Sequence, residues 1–171
     1  MKKPALLLAF AAILLVCQAA FAQEPAAVEG LCINELMASN HTSLEDSFGR
    51  HPDWVELFNA SGEAVSLDGV CLSDKKGELE RYRFPDGIVL GPNEYLIVFC
   101  SGLKKGLEDE LHTPFKLSAA GEALYLSKDG QIIDSVLFED MEPDVSLCRT
   151  GDGSYAVSFV PTPNAENKID S

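Results

Sequence analysis

Residues 51–59, His-Pro-Asp-Trp-Val-Glu-Leu-Phe-Asn, set a histidine and two carboxylates around an apolar centre. If His51, Asp53 and Glu56 converged, they could hold a metal ion or move a proton. In a strand they do not all converge, because successive side chains leave opposite faces. Val55 and Leu57 then form an apolar face directed to a core, while Trp54, Glu56 and Phe58 share the other. Glu56 therefore sits between two aromatics on a partly covered face and needs a donor or a cation. Arg81, Arg83 or the backbone amides of a loop are the expected partners. The metal alternative is a calcium ion held by Glu35, Asp53, Glu56 and Asp74, hard oxygen ligands drawn from several segments. No other cofactor is expected.

Catalysis needs more than carboxylates. An acid/base enzyme wants two carboxyls at a set separation beside a cleft, or a nucleophile with a positioned base. His41, His51 and His112 fall in loops with no metal or triad spacing, and Gly-Leu-Lys-Lys-Gly at 102–106 lacks the pattern of a phosphate loop. The expectation is that the chain is not an enzyme.

The elements that would position these residues are short. Apolar stretches at 31–37, 54–59, 64–74, 81–84, 87–90, 94–100, 122–127, 131–138 and 155–160 are strand-length and rich in Val, Ile, Leu, Tyr and Phe. Turn residues separate them, and Lys-Asp-Gly-Gln at 128–131 is the strongest hairpin signal. A short helix is expected only within 41–51, capped by Thr42 or Ser43 and stopped at Gly49. The segment 38–51 is also the candidate for ligand contact, being the longest irregular connection. The end, from Pro161, reads as a tail leaving the fold. Many short strands between turns indicate an all-β sandwich or barrel.

The first 22 residues have the layout of a secretory signal peptide: Lys2 and Lys3, an apolar run, and Ala20-Phe21-Ala22 before Gln23. Acylation of Cys17 is the weaker alternative, since Val16 precedes it. Once the leader is removed, no membrane span is expected. The composition, 27 acidic against 13 basic residues, gives a net charge of −14, which disfavours phosphate backbones and anionic membranes. The one basic stretch, Lys75 to Arg83, is interrupted by Glu78 and Glu80. Four cysteines lie beyond the leader, Cys32, Cys71, Cys100 and Cys148, and in an exported chain they point to two disulfides whose pairing the sequence leaves open. Asn40-His-Thr and Asn59-Ala-Ser are glycosylation acceptor sequences, of use only to a host with that machinery.

The ordered segments Ile33-Asn-Glu-Leu, Asp53-Trp-Val-Glu-Leu-Phe-Asn, Val65 to Asp74, Arg81 to Gly102, His112 to Val136, Val145 to Gly153 and Pro161 to Asn167 resemble the lamin tail domain in its exported bacterial form. Asn34, Glu35, Glu56, Leu57, Asn59, Leu72, Asp74, Phe84 and Pro85 stand at positions of that family's pattern. Val70 with Cys71, and Cys100 and Cys148, depart from it. The resemblance implies an immunoglobulin-like β-sandwich and a non-catalytic module for protein interaction. The expected layout is a signal peptide over 1–22, a short leader over 23–30, the domain over 31–167 and a tail over 168–171. The expected function is a secreted or extracytoplasmic binding or adhesion module that docks onto a protein or a cell-envelope component, with nucleic acid disfavoured as a partner and the oligomeric state open. The alternative is a calcium-binding accessory domain of a separately encoded hydrolase or nuclease.

Overall fold

The computed structural model describes residues 28–103 and 109–169; the expected signal peptide, with Cys17, lies outside the described residues. The strands are β1 (Leu31–Met37), β2 (Asp53–Asn59), β3 (Val65–Ser66), β4 (Val70–Ser73), β5 (Tyr82–Arg83), β6 (Val89–Leu90), β7 (Tyr95–Cys100), β8 (Glu122–Lys128), β9 (Gln131–Phe138), β10 (Ser146–Arg149) and β11 (Tyr155–Ser158). One sheet has the order β11-β10-β1-β2-β7, the facing sheet β5-β4-β8-β9, and β3 pairs with β6 at the side. Every strand pairing is antiparallel. This is the expected immunoglobulin-like β-sandwich. Alternation builds its core: Val55, Leu57 and Val98 from one sheet meet Val70, Leu72, Leu124, Leu126 and Val136 from the other. No helix among the described residues is long and apolar enough to cross a membrane.

Local chemistry sets the turns. Asp129 and Gly130 both take positive φ, the two-residue hairpin turn that Asp-Gly favours, and β8 runs into β9 there. Gly121 is also left-handed, at φ 96°, and a Cβ on it would lie 2.7 Å from the Phe138 carbonyl oxygen. No other residue fits that approach.

β1 has to break its alternation. Ile33 and Leu36 both face the core, which strict period two forbids for residues three apart. A bulge between Ile33 and Glu35 inserts Asn34 opposite β2 and resets the phase. The backbone groups of Ile33 are then served from outside the ladder. Asp134 accepts its N–H at 2.8 Å, while Arg149 Nε and the Tyr155 hydroxyl donate to its carbonyl at 3.1 and 2.8 Å. β10, absent from the strands expected from the apolar pattern, supplies Arg149 and pairs with β1. Its short Ser-Leu-Cys-Arg run carries little periodic signal.

Two segments cover the outer face of the first sheet, and both correct the sequence reading. Over 41–51 there is no helix. Side chains take the amides a helix would need: Asn40 accepts from Ser43 N–H, Asp46 from Phe48 and Arg50, and Asp144 from His41 and Thr42. The loop so held lays Leu44 over Met37, Trp54 and Phe99, a small second core. The segment from Pro161 does not leave the fold either. It crosses β1 and β2, with Thr162, Asn164 and Asn167 bonded to residues of those strands.

The expected disulfides are not formed; Cys32, Cys71, Cys100 and Cys148 are free thiols. Cys148 stands opposite Glu35 in the ladder, three residues from Cys32, about 10 Å along a strand and beyond disulfide reach. Cys100 is in the core, whereas Cys71 lies on the other sheet between the core residues Val70 and Leu72, and so turns outward.

Candidate functional site

Glu35 and Glu56 are direct cross-strand partners on β1 and β2, both fully buried on the outer face of the sheet. The partners of this pair include amides and a hydroxyl. Glu35 accepts from the Thr162 N–H at 3.0 Å and from its hydroxyl at 3.1 Å. Glu56 accepts from Asn34 Nδ2 at 2.8 Å and from the Asn164 N–H. Asn167 ties the cover down, donating to the carbonyls of Asn34 and Arg149 and accepting from Asn34 Nδ2. Burial pushes Glu56 up to about 7, against the two hydrogen bonds that favour its charged form and with the Glu35 charge adding to the rise. Of the partners expected for Glu56, the loop amide is the one used. Arg81 pairs instead with Asp74, and Arg83 with Glu80 at 3.9 Å.

Of the four carboxylates expected around calcium, only Glu35 and Glu56 are brought together. Glu35 and Glu56 lie under the C-terminal segment. Asp53 sits at the start of β2 on the other face, accepting the Asn40 N–H at 3.3 Å, and burial raises its pKa. Asp74 is held by Arg81 on the second sheet. Among the described residues no three His, Cys, Asp or Glu side chains are placed to hold a metal together.

The histidines are also bonded within the fold. His51 Nδ1 lies 3.1 Å from the Leu44 carbonyl, and buried His112 stacks on Phe99 between Ser101 and Glu110. His41 contributes its backbone amide to Asp144. Both glycosylation sequons are used by the fold: Asn40 donates to Leu44 and Pro52 carbonyls, and fully buried Asn59 to those of Glu63, Leu90 and Gly91. Within residues 51–59, Asp53 to Asn59 form a strand, and Asp53, Glu56 and Asn59 are hydrogen-bonded within the fold.

Beside the covered carboxylates the sheet stays open. A groove of about 780 Å³ runs between the ends of β1, β2 and β7 and the β10–β11 turn, lined by Cys32, Phe58, Tyr95, Asp134, Arg149 and Glu166. Phe58 and Tyr95, partners across β2 and β7, stack with centroids 4.6 Å apart and form its aromatic side. Burial pushes the Cys32 thiol up to about 11. A smaller cleft of about 240 Å³ lies at the other end, between Arg50, His51, Asp53 and Lys116. Sequence reasoning missed the bonding of Thr162, Asn164 and Asn167; the signals were the demand of Glu56 for a donor and the place of Pro161 to Asn167 in the resemblance.

A family model described as Lamin Tail Domain matches residues 24–140. No curated protein matches the chain. The matched span stops before β10, yet β10 and β11 complete the first sheet and 161–167 closes over it.

Proposed function

The chain belongs to the lamin tail domain family, and from that premise we propose that it is an exported, non-catalytic module that docks onto a protein or a cell-envelope component through the groove beside the C-terminal cover. Lamin tail domains are protein-interaction modules, and the chain has their immunoglobulin-like sandwich. The observation that supports docking here is the groove itself: about 780 Å³, with a stacked aromatic pair on one side and Asp134, Arg149 and Glu166 on its rim. A concave surface that mixes aromatic side chains with charged and amide groups can fix a partner's orientation as well as bury its apolar area. Hydrogen bonds within the fold at Asn34, Glu56, Asp53 and His112 support the non-catalytic reading.

The test uses the chain expressed with its own leader, purified and immobilised, then exposed to envelope polymer and surface proteins of its host. Saturable retention, competed by soluble chain and weakened about tenfold by Tyr95→Ala together with Glu166→Lys, is the expected outcome. Retention that ignores these groove changes, or none at all, refutes the docking role.

A further inference from the structure

The groove beside the C-terminal cover is unbalanced in charge. Its charged lining residues are Asp134, Arg149 and Glu166. Arg149 is already engaged: Nη2 pairs with Asp134 at 2.6 Å, while Nε and Nη1 donate to the carbonyls of Ile33 and Gly153. That leaves Glu166, which is exposed and has no ion pair among the described residues. The chain as a whole, at a net charge of −14, offers no compensation.

Strand register places an aromatic face beside that carboxylate. Cys32, Phe58 and Tyr95 form a row across β1, β2 and β7 on the outer face of the first sheet. Phe58 has a neighbour on each side, but β7 is the last strand, and 111–116 flanks it only from Phe99 onward. The half-buried Tyr95 ring therefore stacks on Phe58 on one side and has no strand on the other. Burial raises the pKa of its hydroxyl, and the charges of Glu56 and Glu166 add to the rise, so Glu166 lies within electrostatic reach of the ring. The negative face of an aromatic ring attracts cations. Phe48, Phe115 and Tyr155 each have an arginine over the ring, 5.1–5.2 Å from the centroid. Among the described residues no cation lies over Phe58 or Tyr95.

Resting on the docking role of this groove, we infer that its partner is a basic polypeptide segment, one arginine of which stacks on Tyr95 and pairs with Glu166. A guanidinium is planar, so it lies flat on a ring while donating from its edge to a carboxylate, and one group answers both features. Further basic residues of the segment gain from the field of the acidic chain, which also speeds their approach. The same field opposes an anionic polymer. A neutral ligand would cover Glu166 without supplying a counter-charge, at a desolvation cost.

Fluorescence anisotropy with two labelled peptides tests it: a short arginine-rich peptide, and the same peptide with citrulline for arginine, which removes the charge and nearly keeps the shape. The purified chain should bind the arginine peptide, and the citrulline peptide about tenfold more weakly. Glu166→Gln and Tyr95→Leu should each weaken the arginine peptide about threefold to fivefold. Asp86→Asn removes the same charge from the exposed turn between β5 and β6, outside the groove, and should change affinity by less than about twofold. If Asp86→Asn costs as much as Glu166→Gln, the attraction belongs to the acidic surface at large and the inference is overturned. Equal affinity for the two peptides, or no binding of either, also overturns it. Retention of a neutral envelope polymer that Tyr95→Leu weakens and Glu166→Gln leaves unchanged overturns the basic partner while the docking role stands; loss of every groove-dependent retention removes both.

Discussion

Replacing Glu56 by glutamine isolates the energetic consequence of its burial. In the unfolded chain this carboxyl titrates near its model value of 4.5, and in the fold it is pushed up to about 7. Because the folded state holds the proton more tightly, the contribution of Glu56 to stability is fully present below about pH 4.5 and is lost as pH rises to 7. At 1.36 kcal/mol per pH unit the full change is about 3 kcal/mol. Glutamine keeps the shape, abolishes the titration and leaves one amide hydrogen facing a donor, Asn34 Nδ2 or the Asn164 N–H, a roughly constant penalty of about 1–2 kcal/mol. The difference in unfolding free energy between parent and Glu56→Gln should therefore move in favour of the variant by about 2–3 kcal/mol between pH 4.5 and 7 and be flat above that. Urea titrations at half-unit pH steps would measure it. The single tryptophan, fully buried Trp54, reports unfolding by fluorescence. A difference curve that is level from pH 4 to 8 refutes the reasoning, since it means the amides of the C-terminal cover fully offset the cost of burying the charge.

Asn167→Ala removes the bonds that tie the cover to Asn34 and Arg149, and a loss of about 1–3 kcal/mol is expected in the same urea assay; an unchanged midpoint would show that the cover is not part of the cooperative fold. Gly121→Ala forces a Cβ to 2.7 Å from the Phe138 carbonyl at a left-handed φ, so a loss of at least about 1 kcal/mol is expected, whereas Gly130→Ala meets open space and carries only the φ penalty. Burial pushes all four thiols among the described residues up, so a thiol reagent at pH 8 should label Cys71, Cys100 and Cys148 only after denaturation; rapid native labelling of any of them contradicts the packing. With Glu35 and Glu56 apart from Asp53 and Asp74, the melting temperature in excess chelator and in millimolar calcium should agree, and a rise of several degrees with calcium would restore the metal reading.

The sequence by itself determined the class of fold, the β8–β9 hairpin, and which residues of β2 face the core. Each of these is local: Asp-Gly favours a turn from its own backbone preferences, and the alternation of Val55 and Leu57 with Glu56 is set by the two-residue period of a strand. It also carried the demand that Glu56 find a donor, without saying where. Tertiary structure alone decided that Thr162, Asn164 and Asn167 answer that demand from more than a hundred residues away, that 38–51 folds over Trp54 instead of forming a helix, and that Glu35 and Glu56 meet on the outer face while Asp53 lies on the other. The reason is common to all of them. Polar residues such as Asn, Asp and Thr satisfy one another through contacts that leave no periodic trace in the chain, and a bulge such as that at Asn34 shifts the faces of a strand according to what lies across from it.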